Sequence, residues 1–244
     1  AQQYDEAIEA YRAILAIAPR EANAYLGIGG IQLVQQNYQA ALGTYQTLAQ
    51  LAPGNAKVYV ALGELYLEQE NYDQALNYLQ QAQRVDPRQG ETYLGLADIY
   101  LAQDNRVAAL NNLRQASNLM PESSEAQYRL GAMLYDQGNE DAAFDYLLRA
   151  VRLNPELVPA HAILGKLLLD RENYIQAVLS YRRVVAAVPR DAGAHYNLGL
   201  ALWGQGLQAQ AISNVQTSRY LYQQQENTEG AERASALLDY WGAE

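Results

Sequence analysis

Residues 56–89 read AKVYVALGELYLEQENYDQALNYLQQAQRVDPRQ. In the first half the apolar residues Tyr59, Leu62, Tyr66 and Leu67 follow spacings of 3, 4 and 1, which put them on one side of a helix and not on a strand. Asn71 interrupts the pattern, a second amphipathic stretch follows, and Pro87 ends it. Proline cannot continue a helix, because it lacks the backbone N–H and its ring clashes with the preceding turn. The stretch therefore predicts helix A over positions 1–14, a short turn, and helix B over positions 17–30.

The same pattern recurs along the chain. Pro19, Pro53, Pro87, Pro121, Pro155 and Pro189 are spaced by 34 residues, and Pro159 alone breaks the series. With the proline set at position 32, position 20 is alanine seven times, from Ala7 and Ala41 to Ala211. Position 8 is Gly29, Gly63, Ala97, Gly131, Gly165 and Gly199, and position 7 is always aliphatic. Small residues at 8 and 20 let two helices cross closely, where a larger side chain would cost about 1–3 kcal/mol of overpacking. Position 16 is asparagine five times, Asn37, Asn71, Asn105, Asn139 and Asn173. Asparagine tolerates left-handed backbone, so these residues are expected to make the interhelical turn. A fixed period of this length is the mark of a helical repeat array.

At these residues the chain resembles the tetratricopeptide repeat (TPR) family. That family's pattern has an aromatic at position 4, Leu-Gly at 7–8, Tyr at 11, Ala at 20, an aromatic at 24 and Pro at 32. Residues Tyr59, Leu62, Gly63, Tyr66, Ala75 and Pro87 match it, with Leu79 at position 24. Departures are Gln127, His161 and His195 at position 4, Gln32 at position 11, and Gln223 where the last proline would stand. The resemblance covers about nine tenths of the chain and implies an all-α, right-handed superhelical solenoid with helix A lining its concave face.

On this phasing residues 1–21 are helix B of a truncated first repeat. Six full repeats follow over 22–55, 56–89, 90–123, 124–157, 158–191 and 192–225, and 226–244 form a C-terminal capping helix. A missing first helix A would expose Ile8, Tyr11 and Ile14, so the protein is expected to continue upstream of residue 1; the alternative is that this edge packs on another copy. At the other end Thr228 is expected to cap a helix whose apolar face is Ala231, Ala234, Leu238 and Trp241.

Composition narrows the function. The 244 residues contain no cysteine, which excludes disulfides, thiolate catalysis and cysteine-ligated zinc. No apolar stretch is long enough to span a bilayer, and no targeting segment stands at the start, so membrane insertion is not expected; the compartment stays open, with the cytoplasm slightly favoured. Net charge is −10, and 27 acids outnumber 17 bases, which argues against nucleic acid as a partner. No enzyme chemistry is legible and no cofactor or metal is expected. His161 and His195 are equivalent residues of adjacent repeats, on helices about 8–10 Å apart, and read as packing residues. Gly27, Gly29 and Gly30 lie inside a helix and lack the spacing of a phosphate-binding loop. Packing explains Gly29, while Gly27 and Gly30 are read as places where a ligand or helix approaches closely.

The A helices carry the informative chemistry. Their seven acids, Glu64, Glu68, Glu91, Asp98, Glu125, Asp136 and Asp170, all fall at positions 2, 9 or 13, where only Lys57 and Lys166 oppose them. The resemblance implies that these positions face the groove. Between the acids run apolar rows, including Tyr128 and Tyr196 at position 5 and Leu67, Leu101, Tyr135, Leu169 and Trp203 at position 12. An apolar strip rimmed by charge reads as a binding surface. The chaperone-tail clamp of some TPR proteins does not match, since only Lys57, Arg129 and Asn197 are of the required type. The expected function is a non-catalytic scaffold or adaptor that binds a basic or amphipathic peptide segment in an acidic, apolar groove. The alternatives are a recruiting module of a larger protein, such as a glycosyltransferase or signalling protein, and a unit that self-assembles through its N-terminal edge.

Overall fold

The computed structural model describes residues 2–243. Residues 1 and 244, at the outer limits of the first and last segments, lie outside the described residues. Fourteen helices and no strand are found among the described residues. They fall into two compact units, Ala1–Pro121 and Glu122–Glu244. The first unit holds α1 (Gln2–Ile17), α2 (Ala22–Val34), α3 (Tyr38–Leu51), α4 (Ala56–Glu68), α5 (Tyr72–Val85), α6 (Gly90–Ala102) and α7 (Arg106–Leu119). The second holds α8 (Ser124–Asp136), α9 (Glu140–Leu153), α10 (Val158–Asp170), α11 (Tyr174–Ala187), α12 (Ala192–Gly204), α13 (Gln208–Gln224) and α14 (Thr228–Tyr240).

Within each unit every A helix packs on the B helix that follows it, as α4 does on α5 and α10 on α11. The A helices also adjoin one another, α2 with α4 and α4 with α6, α8 with α10 and α10 with α12, so each unit presents a row of A helices. The alanine of position 20 explains the close crossing: Ala41, Ala75, Ala109, Ala143, Ala177 and Ala211 are wholly buried. At Gly63 a Cβ would lie 2.6 Å from Cγ of Leu79, so the Leu79 side chain fills the space a methyl group would need. Gly27 turns out to have a packing reason too, because a Cβ there would run into the Tyr11 ring. Gly30 has open space around it.

The turn chemistry differs from the sequence expectation. The left-handed residue is at position 15, one before the asparagine: Gln36, Glu70, Asp104, Gly138, Glu172 and Gly206 all have φ between 54° and 79°. The asparagines have φ near −87° and act as N-caps of helix B. Asn71 Oδ1 accepts from the Gln74 N–H at 3.2 Å, and Asn105 and Asn139 accept likewise from Ala108 and Ala142. A side-chain oxygen at this point satisfies one of the free N–H groups of the first turn. Asn37 forms no such bond. The final helix is capped by Asn227, which accepts from the Gly230 N–H at 2.8 Å, and Thr228 is its first residue.

Proline sets the length of helix B as expected. Each B helix followed by a position-32 proline stops two residues before it, whereas α13, with Gln223 in that place, runs on to Gln224. Pro159 breaks the period without breaking a helix, because it lies in the first turn of α10, where its missing N–H has no intrahelical partner to lose.

Position 4 has a role that its aromatic character alone did not reveal. The hydroxyls of Tyr25, Tyr59 and Tyr93 donate to the carbonyls of Pro19, Pro53 and Pro87 at 3.2, 3.0 and 2.8 Å. His161 and His195 place Nε2 at 2.9 and 3.1 Å from the carbonyls of Pro155 and Pro189. Tyrosine and histidine therefore do the same work: each ties helix A to the carbonyl left over where the preceding helix B has ended.

Candidate functional site

In the first unit, Leu26 and Gly30 of α2, Tyr45 of α3, Lys57, Val60, Ala61 and Glu64 of α4, Gln89 and Glu91 line a cleft of about 330 Å³. Positions 5 and 6 supply its apolar floor, and positions 2 and 9 supply its charge. Val60 and Ala61 are buried, while Glu64, Glu91 and Lys57 are exposed at the rim. Although the Glu64 residue reaches the surface, the packed wall around its carboxyl removes part of its hydration, and Glu91, then Asp98 and Glu68, repel its charge; together they raise its pKa above the ordinary glutamate value. The Gln89 amide donates to Glu91 and holds that carboxylate in place. Asp98 is half-buried and Glu68 exposed. Of the apolar candidates, Leu67 packs against the Ala75–Leu79–Leu96–Ile99 cluster and belongs partly to the core, whereas Leu101 is 42% exposed.

The second unit places its candidates differently. Glu125 faces Arg129 Nε at 3.9 Å, and Asp170 meets Lys166 Nζ at 3.2 Å. Lys166 also lies over the Tyr135 ring at 5.8 Å, and its contacts with Tyr135 and Asp170 raise its pKa. Tyr128 and Leu169 are half-buried and Asp136 is exposed. Burial, and then the Glu125 charge, raise the Tyr128 pKa. Two expected anchors are covered from within the chain. Trp203 stacks on Trp241 with ring centroids 4.1 Å apart and planes at 1°, and Tyr196 lies under Arg233 at 5.2 Å. Trp241 and Arg233 belong to the C-terminal segment, which the sequence marks as a cap but does not mark as a lid on these rings.

Among the described residues no three His, Asp or Glu side chains converge as a metal site. No helix among them is long and apolar enough to cross a membrane.

Tetratricopeptide repeat models match residues 32–96 and 66–111, and 1–56 and 102–157; a TPR repeat model matches 165–206. The chain belongs to the tetratricopeptide repeat family. Solved TPR structures share its fold. YrrB, described as a TPR protein with an unusual peptide-binding site, is 21% identical with a TM-score of 0.66 over 79% of this chain and 97% of its own. PilF of Pseudomonas aeruginosa is 19% identical with a TM-score of 0.71 over 96% and 99%. MamA is 25% identical with a TM-score of 0.57 over 71% and 95%. No curated protein matches the sequence. TPR proteins are in general non-catalytic interaction modules, and the fold implies protein or peptide partners.

Proposed function

We propose that this TPR chain is a non-catalytic adaptor that binds a basic or amphipathic segment of another protein on its A-helix face. The observation that carries the reading is the crowding of Glu64 by Glu91, Asp98 and Glu68 above an apolar floor. Carboxylates held close raise one another's cost of ionisation, and a bound cation relieves that cost. Charge complementarity would steer and select the partner, and the apolar floor would hold it. YrrB, a structural relative, is itself described as having a peptide-binding site, which is in keeping with this use of the fold.

The test is selection from a random peptide library at neutral pH and moderate salt, run beside a variant with Glu64, Glu91, Asp136 and Asp170 changed to Lys. Lys- or Arg-containing peptides with apolar neighbours should be enriched by the native protein and lost by the variant. Enrichment of neutral or acidic peptides, or equal capture by both proteins, refutes the reading.

A further inference from the structure

Tyr45 distinguishes the cleft of the first unit from a merely acidic surface. It occupies position 24, where Leu79 and Leu113 fill the corresponding space in α5 and α7. A leucine ends in that space. The Tyr45 ring passes beneath Gly29, where a Cβ would fall 2.6 Å from Cζ, and carries its hydroxyl on to the cleft wall. The residue is only 3% exposed, yet its hydroxyl makes no hydrogen bond with any described residue. Unlike the sealed Tyr181 and Thr92 hydroxyls, the Tyr45 hydroxyl opens on the cleft, so it is free to bond a group that enters there.

The groups beside it define that partner. Glu64 and Glu91 present carboxylate oxygens, and Lys57 stands exposed at the rim. Leu26, Val60 and Ala61 form an apolar floor, and the space above Gly30 is open. We infer, taking the A face as a basic-peptide surface, that this cleft receives the charged head of one lysine or arginine side chain of the bound peptide, with the Tyr45 hydroxyl and the Glu64 and Glu91 carboxylates as acceptors. An ammonium brings three donors and no acceptor, which suits three acceptors. Its aliphatic stem lies along the floor while its head stays with the charges. Burial, and then the charge of Glu64, push the Tyr45 hydroxyl up to about 12, so it stays protonated and can also donate to Glu64. The second unit repeats the tyrosine without the opening: Tyr181 lies beside Gly165, but its hydroxyl is sealed from solvent.

The experiment uses the whole chain and two probes. The first is n-butylammonium, a lysine head and stem without a peptide, titrated into isotope-labelled protein and followed by amide NMR, with 1-butanol as the uncharged control. The expected result is shifts at Gly30, Tyr45, Val60, Glu64 and Glu91 that butanol does not reproduce. Tyr45→Phe combined with Glu64→Gln should weaken the apparent affinity at least about tenfold. Tyr45→Phe keeps the ring, and its spectrum and melting curve check that the fold is intact. The second probe is a library-selected basic peptide with each Lys or Arg replaced in turn by norleucine or citrulline. One position should dominate in the native protein and lose its dominance in the double variant. Butylammonium that leaves the cleft amides unmoved, or affects both proteins equally, overturns the inference even if basic peptides bind elsewhere. Cleft shifts with no basic peptide selected would instead defeat the adaptor reading, while the cation site stands.

Discussion

The two units are built from one repeat, yet their A helices differ in which charged and aromatic side chains have partners. In the first, Glu64 and Glu91 rim an open cleft and repel each other over an apolar floor. In the second, Arg129 and Lys166 pair within their own helices with Glu125 and Asp170, and α14 and its last turn set Arg233 and Trp241 against Tyr196 and Trp203. The difference lies in three side chains at repeat positions 6, 9 and 24. Position 6 is Ala61 in α4 but Arg129 in α8; position 9 is Glu64 in α4 but Lys166 in α10; position 24 is a cleft-lining tyrosine in α3 and a sealed one in α11. On the reading proposed above, the open cleft of the first unit is the recognition surface, while two of the second unit's expected anchors are covered by its own side chains.

The sharpest break in this contrast would come from the glycines that hold the helix pairs together. Gly63→Ala in the first unit should destabilise by up to about 3 kcal/mol in chemical denaturation, because the new methyl meets Leu79 at 2.6 Å. Gly165→Ala in the second should be nearly neutral. There the Tyr181 ring lies 3.1 Å away and need give only slightly, and alanine gains about 1 kcal/mol of helix propensity. Equal losses at the two sites would show that the crossings are equally tight.

Removing the indole of Trp241 should cost about 2 kcal/mol, from the ring pair and the apolar area it covers. These are the chain's only two tryptophans, so their stacking should give a far-ultraviolet circular dichroism couplet. Trp241→Ala should abolish it. Persistence of the couplet would contradict the stacked geometry, while new affinity for basic peptides in the variant would show that the lid alone had kept the second unit silent.

Thr92→Val should stabilise the first unit by about 1 kcal/mol. The Thr92 hydroxyl is fully buried with no partner, and Val58 at the equivalent position of α4 shows that valine fits. An unchanged or lower melting temperature would mean that the hydroxyl is satisfied in solution.

The smallest stability effect should come from Glu64→Gln, and it should run opposite to its effect on binding. The folded-state pKa of Glu64 is raised, so the folded protein holds this proton more firmly than the unfolded chain does. Stability is therefore lost as pH rises from the ordinary carboxylate range through the raised value. The variant should be slightly more stable than the native protein at neutral pH, and the gain should vanish on acidification below the ordinary glutamate pKa. Basic-peptide affinity should fall in the same variant. A change that stabilised and also strengthened binding would undo the reading of Glu64 as a recognition residue.

The array was plainly legible in the sequence, because proline, glycine and alanine act through the backbone. Pro53 and Pro87 end helices wherever they stand, and Gly63 against Leu79 needs only a short approach within one repeat. At Asn71 and its equivalents the residue type alone does not separate the two roles, since capping and left-handed turns draw on the same residues; the non-glycine residues Gln36, Glu70 and Asp104 take the left-handed position instead. The position-4 link to the proline carbonyl could have been found from the fixed six-residue offset of Tyr59 from Pro53. The acidic rows were visible as a pattern. Which acids are open and which are paired was not, because that depends on side-chain reach, as for Glu125 with Arg129 and Asp170 with Lys166.

The period, the helix pairs and the family could be read from the residues alone, because they follow from local backbone rules repeated every 34 residues. That Tyr45 reaches a cleft beside Glu64, and that Trp241 lies on Trp203, came from the packing of the helices. Those contacts join residues from different repeats. Their energy depends on distances between side chains that the repeat pattern leaves free.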